Sequence, residues 1–297
     1  TPKYAGAGEG PEYETIWAFG AACGVDDIEA ITKANYICNE MGMDTISAGA
    51  TIACAMELAE EGHIPEDVLG REIRFGDADA MLELLEKIVS REGFGDLLAE
   101  GSYRMAEEYG HPELAMTAKM QELPAHGSRG AKGQGLGYAT SNRGGCHLRG
   151  PMYYIESFGQ FEELDPKSTE KKAPWLKILQ DQMGITDSMG LCCFVPHEPE
   201  DVYGAYVAST GSKLGSEDLN RVGERIYNLE RMFNIKAGLT GEDDSLPPRI
   251  TSEKVPGGPA EGQVVELDQM LPEYYTARGW DDQGAPTQEK LSELGIT

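Results

Sequence analysis

Glycine recurs at positions 127, 130, 133, 135, 137, 144, 145 and 150, and this stretch separates two regions of helical patterning. Glycine relaxes the steric limit on φ, so residues 123–150, with little 3.6-residue periodicity, read as a long irregular loop. A loop of that length inside a compact domain is uncommon and often functional. On either side, apolar residues recur at helical rather than alternating spacing. Asp26 with Glu29 suggests a capping box ahead of Ile28, Ile31, Tyr36 and Ile37, and the pattern breaks at Gly42. Further helices are expected over 45–61, 78–91 with Asp77 as N-cap, 97–109, 168–183, 200–209, 216–234, 267–277 and 287–294. The 216–234 segment carries Val222, Ile226, Leu229 and Phe233 on one face. Residues 241–265, acidic and rich in Pro and Gly, read as a surface connection. The fold class is therefore mainly α. Two packed helical domains are expected, over 1–125 and 126–297, with an approximate boundary and room for interleaving.

The chain has 297 residues, enough for real cores in both domains, and 40% hydrophobic with 26% charged residues is an ordinary globular balance. A net charge of −26 argues against nucleic-acid partners and anionic membrane surfaces, which need cations. No apolar run reaches the length of a membrane span. The six cysteines (23, 38, 54, 146, 192 and 193) form no C-x-x-C pair and no secreted disulfide framework, which fits a reducing cytoplasm. Four of them are simply small buried residues on this reading.

Two short segments echo one another. NEMGMD at 39–44 and DSMGLC at 187–192 each place a glycine after a helical turn, as where a chain leaves a helix in left-handed conformation. Asp44 and Asp187 can serve there as helix caps or as acceptors for the N–H groups of a ligand. Cys192 is a candidate thiolate ligand, although an iron–sulfur cube needs four thiolates and this chain groups no others with it. His147 sits in RGGCHLRG between Arg143 and Arg149, a setting that suits a proton carrier. Histidines 63, 111, 126 and 197 lack such a setting and read as structural or exposed. In GPEYET, alternation would put Glu12 and Glu14 on one side if the segment is extended, offering a carboxylate partner to a distant histidine.

Taken in order, GPEYET, the NEMGMD segment, GLGYATSNRGGCHLRG, DSMGLC, NLERMFN at 228–234 and the closing EYYTARGWDDQGAPTQEKLSELG resemble the aldehyde:ferredoxin oxidoreductase family. The resemblance runs along essentially the whole chain but to the family's second and third domains, which implies a preceding N-terminal pterin-binding domain. It implies a cofactor of tungsten, or molybdenum, held by two pyranopterins. Asn39, Met43 and Asp44 would serve one pterin, Asp187 and Leu191 the other, with Arg149 at a pterin contact. Cys192 would be the fourth ligand of a [4Fe–4S] cluster, and Glu14 and His147 would flank the metal. The implied activity is oxidation of an aldehyde to a carboxylic acid with electrons passed to ferredoxin or another acceptor, in a cytoplasmic homo-oligomer. The alternatives are an aromatic-thioester reductase on the same scaffold and an acidic helical subunit that binds no pterin. Asn39 replaces the family's aspartate and Met43 its leucine, and no E-x-x-H suits a dimer-bridging iron.

Overall fold

The computed structural model describes residues 2–195 and 199–296. His197 therefore lies outside the described residues. The described secondary structure is helical except for one antiparallel pair, Thr117–Ala118 with Gln121–Glu122, and an isolated bridge between Trp280 and Pro286. No described helix is long and apolar enough to cross a membrane. The chain forms two compact units: residues 1–125 with Leu246–Arg249, and residues 126–245 with 250–297. The short Leu246–Arg249 piece belongs to the first unit, where Arg249 makes a two-pronged ion pair with Glu57 at 2.7 and 3.0 Å.

In the first unit, Asp27 rather than Asp26 caps the Ile28–Met41 helix, accepting from the N–H groups of Glu29 and Ala30. The Thr45–Glu60 helix opens on Asp44 and packs through its small residues. A Cβ on Gly49 would lie 2.7 Å from the Ala18 carbonyl carbon, so only glycine allows the approach. That neighbour belongs to a π-helical turn, Trp17–Ala21, closed by the Ala22 N–H on the Trp17 carbonyl at 2.9 Å. The Ala78–Ser90 helix opens on Asp77 as the sequence suggests. The expected 97–109 helix is broken at Gly101 into Phe94–Leu98 and Ser102–Glu108. Glu122 explains the break. Its buried carboxylate accepts from the Ser102 N–H at 2.9 Å and hydroxyl at 2.8 Å, which only a fresh helix start presents.

In the second unit, the Gly-rich stretch is not loop throughout. Its middle is a helix, Lys132–Thr140, with every residue buried. Such a helix shows no amphipathic period because all its faces are covered. Its glycines are where neighbours come closest: a Cβ on Gly135 would meet Val265 at 2.9 Å and one on Gly133 would meet Met152 at 2.7 Å. The helix start is held by Glu156, which accepts from the N–H groups of Gly133 and Gln134 and pairs with Lys172 at 2.7 Å, both side chains fully buried. The long Lys172–Ser188 and Ser216–Ala237 helices cross at Gly223, where a Cβ would lie 2.3 Å from the Asp181 carbonyl oxygen.

That second core is strongly polar. Arg231 grips Asp244 at 2.8 and 3.0 Å, Tyr275 donates to the same carboxylate at 2.7 Å, and Trp280 donates to Asn228 at 2.8 Å. Arg278 pairs with Asp181 and lies over the Tyr227 ring at 3.9 Å. Buried charges of this kind need partners on every side, and here they have them. The Ser216–Ala237 helix accordingly buries Leu219, Tyr227, Asn228 and Arg231, while Leu229 and Phe233 of the expected apolar face stay 48% and 72% exposed.

Candidate functional site

The two echoing segments fold alike, one in each unit. In the first, the Gly42 N–H donates to the Asn39 carbonyl and the Met43 N–H to the Cys38 carbonyl. In the second, Gly190 donates to Asp187 and Leu191 to Thr186, the same three- and five-residue steps back along the chain. Gly42 at φ 68° and Gly190 at φ 69° are both left-handed, as this helix ending demands. A Cβ at either glycine would meet nothing within 4 Å, so the backbone of both bends is open.

Their side chains diverge. Asp44 acts as a helix cap, accepting from the Ser47 N–H at 2.7 Å. Asp187 does not cap, because it lies in the last turn of its helix rather than ahead of one. It pairs with Arg149 at 2.8 Å, and Glu230 stands 3.7 Å from the same guanidinium. Arg149 Nε is buried with no hydrogen-bond partner. Asn39 is exposed, Met43 packs on the first core, and Leu191 is half-buried.

Cys192 is exposed, in contrast to Cys23, Cys38, Cys54 and Cys146. Burial pushes the Cys23, Cys38 and Cys54 thiols up to about 12, so they stay protonated and inert. The Cys193 thiol is also pushed up, chiefly by burial and then by Cys192 and Asp187 beside it. Among the described residues, no group of three or more His, Cys, Asp or Glu side chains is arranged to hold a metal ion.

Glu14 lies in the first unit, in a short helix, Tyr13–Ile16, and not in an extended strand, so alternation does not pair it with Glu12. Its Oε2 accepts from the Ala125 N–H at 2.8 Å. His147 lies in the second unit on an aromatic stack that sequence reading missed. Its ring is 5.3 Å from His126, which is 4.2 Å from Tyr153. His126 reads from sequence as structural or exposed, and no local spacing singles it out, since 21 positions and a helix separate it from His147. Of that group, His63 and His111 stack on each other at 3.6 Å, beside Glu61 and Glu113. The loop bearing His147 and Arg149 is pinned by NLERMFN and the tyrosine before it: Asn234 donates to the Asn142 carbonyl at 2.7 Å, and Asn142 donates to the Tyr227 carbonyl at 3.0 Å.

A family description, aldehyde ferredoxin oxidoreductase domains 2 and 3, matches residues 1–296. The chain belongs to this family. A tungsten-containing aldehyde ferredoxin oxidoreductase of Pyrococcus furiosus is 49% identical over 98% of this chain and 49% of the relative. One from Thermococcus kodakarensis is 47% identical with the same coverage. An aliphatic sulfonate oxidoreductase WOR-like subunit of Pyrococcus furiosus is 29% identical over 97% of the chain. The chain thus spans about half the length of the curated relatives it matches. A solved structure, the active-site complex BamBC of benzoyl coenzyme A reductase with 1,5-dienoyl-CoA, superposes with a TM-score of 0.74 over 96% of this chain and 49% of that one. At 22% identity it shows the fold alone.

The residues present fit the cofactor set that aldehyde ferredoxin oxidoreductases are expected to carry. Two open bends offer free backbone, Arg149 keeps an unsatisfied donor beside Asp187, and Cys192 is the exposed thiol with the ligand chemistry a cluster needs.

Proposed function

We propose that this chain is the C-terminal part of a tungsten- or molybdenum-pterin oxidoreductase that oxidises aldehydes to carboxylic acids, with electrons leaving through a [4Fe–4S] cluster to ferredoxin. The observation that carries this reading is the matched pair of open glycine bends, one per unit, with identical hydrogen-bond patterns. When bound, the metal centre supplies the two-electron chemistry and the polarisation of the carbonyl.

The chain supplies placement and proton handling. The exposed Asn39 amide and the Asp187 carboxylate each accept hydrogen bonds, which suits the N–H edge of a pterin. Met43 and Leu191 add apolar contact, and Asp44 holds the start of the helix that follows the first bend. Arg149, already tied to Asp187, has donors for an anionic or heterocyclic group. Cys192 gives the cluster one thiolate, the others coming from the rest of the protein. Glu14, steadied by the Ala125 N–H, and His147, steadied by its ring stack, take up and pass on the two protons released as aldehyde and water give the carboxylic acid and two electrons.

The test is steady-state aldehyde oxidation by the full-length, metal-loaded enzyme. Glu14→Gln and His147→Asn should each lower kcat by roughly 100-fold or more while tungsten and iron content stay constant. Unchanged rates would remove both from the reaction. A full-length protein that purifies without tungsten, molybdenum or iron would instead favour a non-catalytic helical subunit.

A further inference from the structure

His126 has no role of its own in the proton handling above, yet one buried helix fixes its place. Tyr138 of the Lys132–Thr140 helix is 1% exposed, and its hydroxyl donates to the His126 carbonyl at 3.0 Å. One turn earlier, the Gln134 side-chain oxygen accepts from the Tyr153 N–H at 3.3 Å. Tyr153 opens the short Tyr153–Glu156 helix, whose last residue accepts in turn from the Gly133 and Gln134 N–H groups. The same buried helix runs at Ser141 into the loop that carries His147. A single close-packed element therefore roots Tyr153, His126 and His147 together.

The three rings are aligned as well as rooted. The His126 ring lies 4.2 Å from Tyr153 at 28° and 5.3 Å from His147 at 16°, close to parallel with both. Near-parallel aromatic rings attract one another in offset stacks. Tyr153 is buried, so the plane His126 rests on is itself fixed. The backbone of His147 offers little restraint in comparison. Its loop is pinned at Asn142, but Gly144, at φ 98°, and Gly145 lie between that anchor and His147. An imidazole carries two unlike nitrogens, and a proton carrier works only when the right one faces the reacting atom. Left free, a histidine ring has three χ1 wells and two χ2 orientations, about six placements in all.

We infer that His126 is a positioning residue, whose ring holds the His147 imidazole in the orientation that exchanges a proton with substrate. The inference rests on His147 being a proton carrier in aldehyde oxidation, and the experiment separates the two. In the full-length, metal-loaded enzyme, His126→Ala should lower kcat for acetaldehyde by about fivefold to twentyfold, the productive share of a freed ring, at constant tungsten and iron content. KM should stay within about twofold, since an orienting contact acts on turnover rather than on binding. His126→Phe, which keeps a flat ring in the stack, should recover kcat to within about threefold of the unsubstituted enzyme.

The second readout needs no turnover. Diethyl pyrocarbonate carbethoxylates an accessible imidazole nitrogen, and the tryptic peptide 144–149 contains His147 and no other histidine. At one fixed pH and without aldehyde, labelling of that peptide should speed up at least about threefold in His126→Ala, where the ring turns freely, and stay within about twofold in His126→Phe. Should His126→Ala fail to fold, Tyr138→Phe removes only the hydroxyl that holds the His126 carbonyl. That variant should lower kcat about twofold to fivefold, with faster labelling in the same direction.

Full kcat and unchanged labelling in His126→Ala, beside a depressed His147→Asn, would overturn the positioning role and leave the proton reading intact. His126→Phe as slow as His126→Ala would also overturn it, because the imidazole of His126 and not its ring plane would then be what turnover needs. Full kcat in His147→Asn would overturn the proton reading itself, whatever the labelling rates.

Discussion

The bends at 39–44 and 187–192 have one backbone and two different surroundings. Both end a helix on a left-handed glycine with the same pair of hydrogen bonds. After the first, the chain turns straight into another helix, and Asp44 serves as its cap. After the second, no helix follows at once. The residue in the same place is Cys192, left exposed, and the acidic residue at the start of the segment is tied to Arg149. Short-range sequence sets the turn, because glycine at that position and the last helical carbonyls determine it locally. What the neighbouring side chains do is set by what the rest of the fold brings alongside.

The sharpest way to break this comparison is to truncate the two equivalent residues. Cys192→Ala in the full-length enzyme should abolish the [4Fe–4S] signature in low-temperature electron paramagnetic resonance and, with it, turnover. Asp44→Ala should keep the signature and cost about 1 kcal/mol of stability, the usual loss for a helix cap. An intact cluster signal in the cysteine variant would transfer the ligand role to Cys193.

Next in size are the glycines. Because a Cβ meets open space at both, Gly42→Ala and Gly190→Ala should each cost only backbone strain, about 1–2 kcal/mol by denaturant unfolding. Costs differing by more than about 1 kcal/mol would show that one bend makes contacts the other lacks.

The smallest effect expected on stability is from Asp187→Asn, which gives the second bend the amide of the first. The Arg149 and Asp187 side chains are 25% and 41% exposed, so their pairing contributes roughly 0.2–1 kcal/mol. Tungsten and pterin content per protein is then the informative measurement. A fall of severalfold would separate the roles of Asp187 and Asn39, whereas full retention would make the two bends interchangeable.

Much of the fold was legible. Caps such as Asp77 and stops such as Gly42 gave most helices to within a few residues, because capping uses groups two to four positions apart. Where the reading and the fold part, the reason mostly lies outside local spacing. The helix at Lys132–Thr140 was hidden because burial on all sides removes the amphipathic signal. GPEYET pairs Glu12 with Glu14 only if it is extended, but Glu14 enters a short helix that runs into the π-turn against Gly49, a contact made with a distant helix. Leu229 and Phe233 were placed on an apolar face, yet the helix turns inward the side carrying Arg231 and Asn228, whose partners lie on later segments.

By itself the sequence determined the helical class, the family and the two glycine-terminated bends. These depend on groups near one another along the chain or on motifs kept in order. Only the tertiary structure decided that His126 stacks on His147, that Arg149 rather than a backbone N–H holds Asp187, and that a cavity opens beside Cys193. Those pairings join residues with no positional relation in the chain, and packing many side chains at once is what selects them.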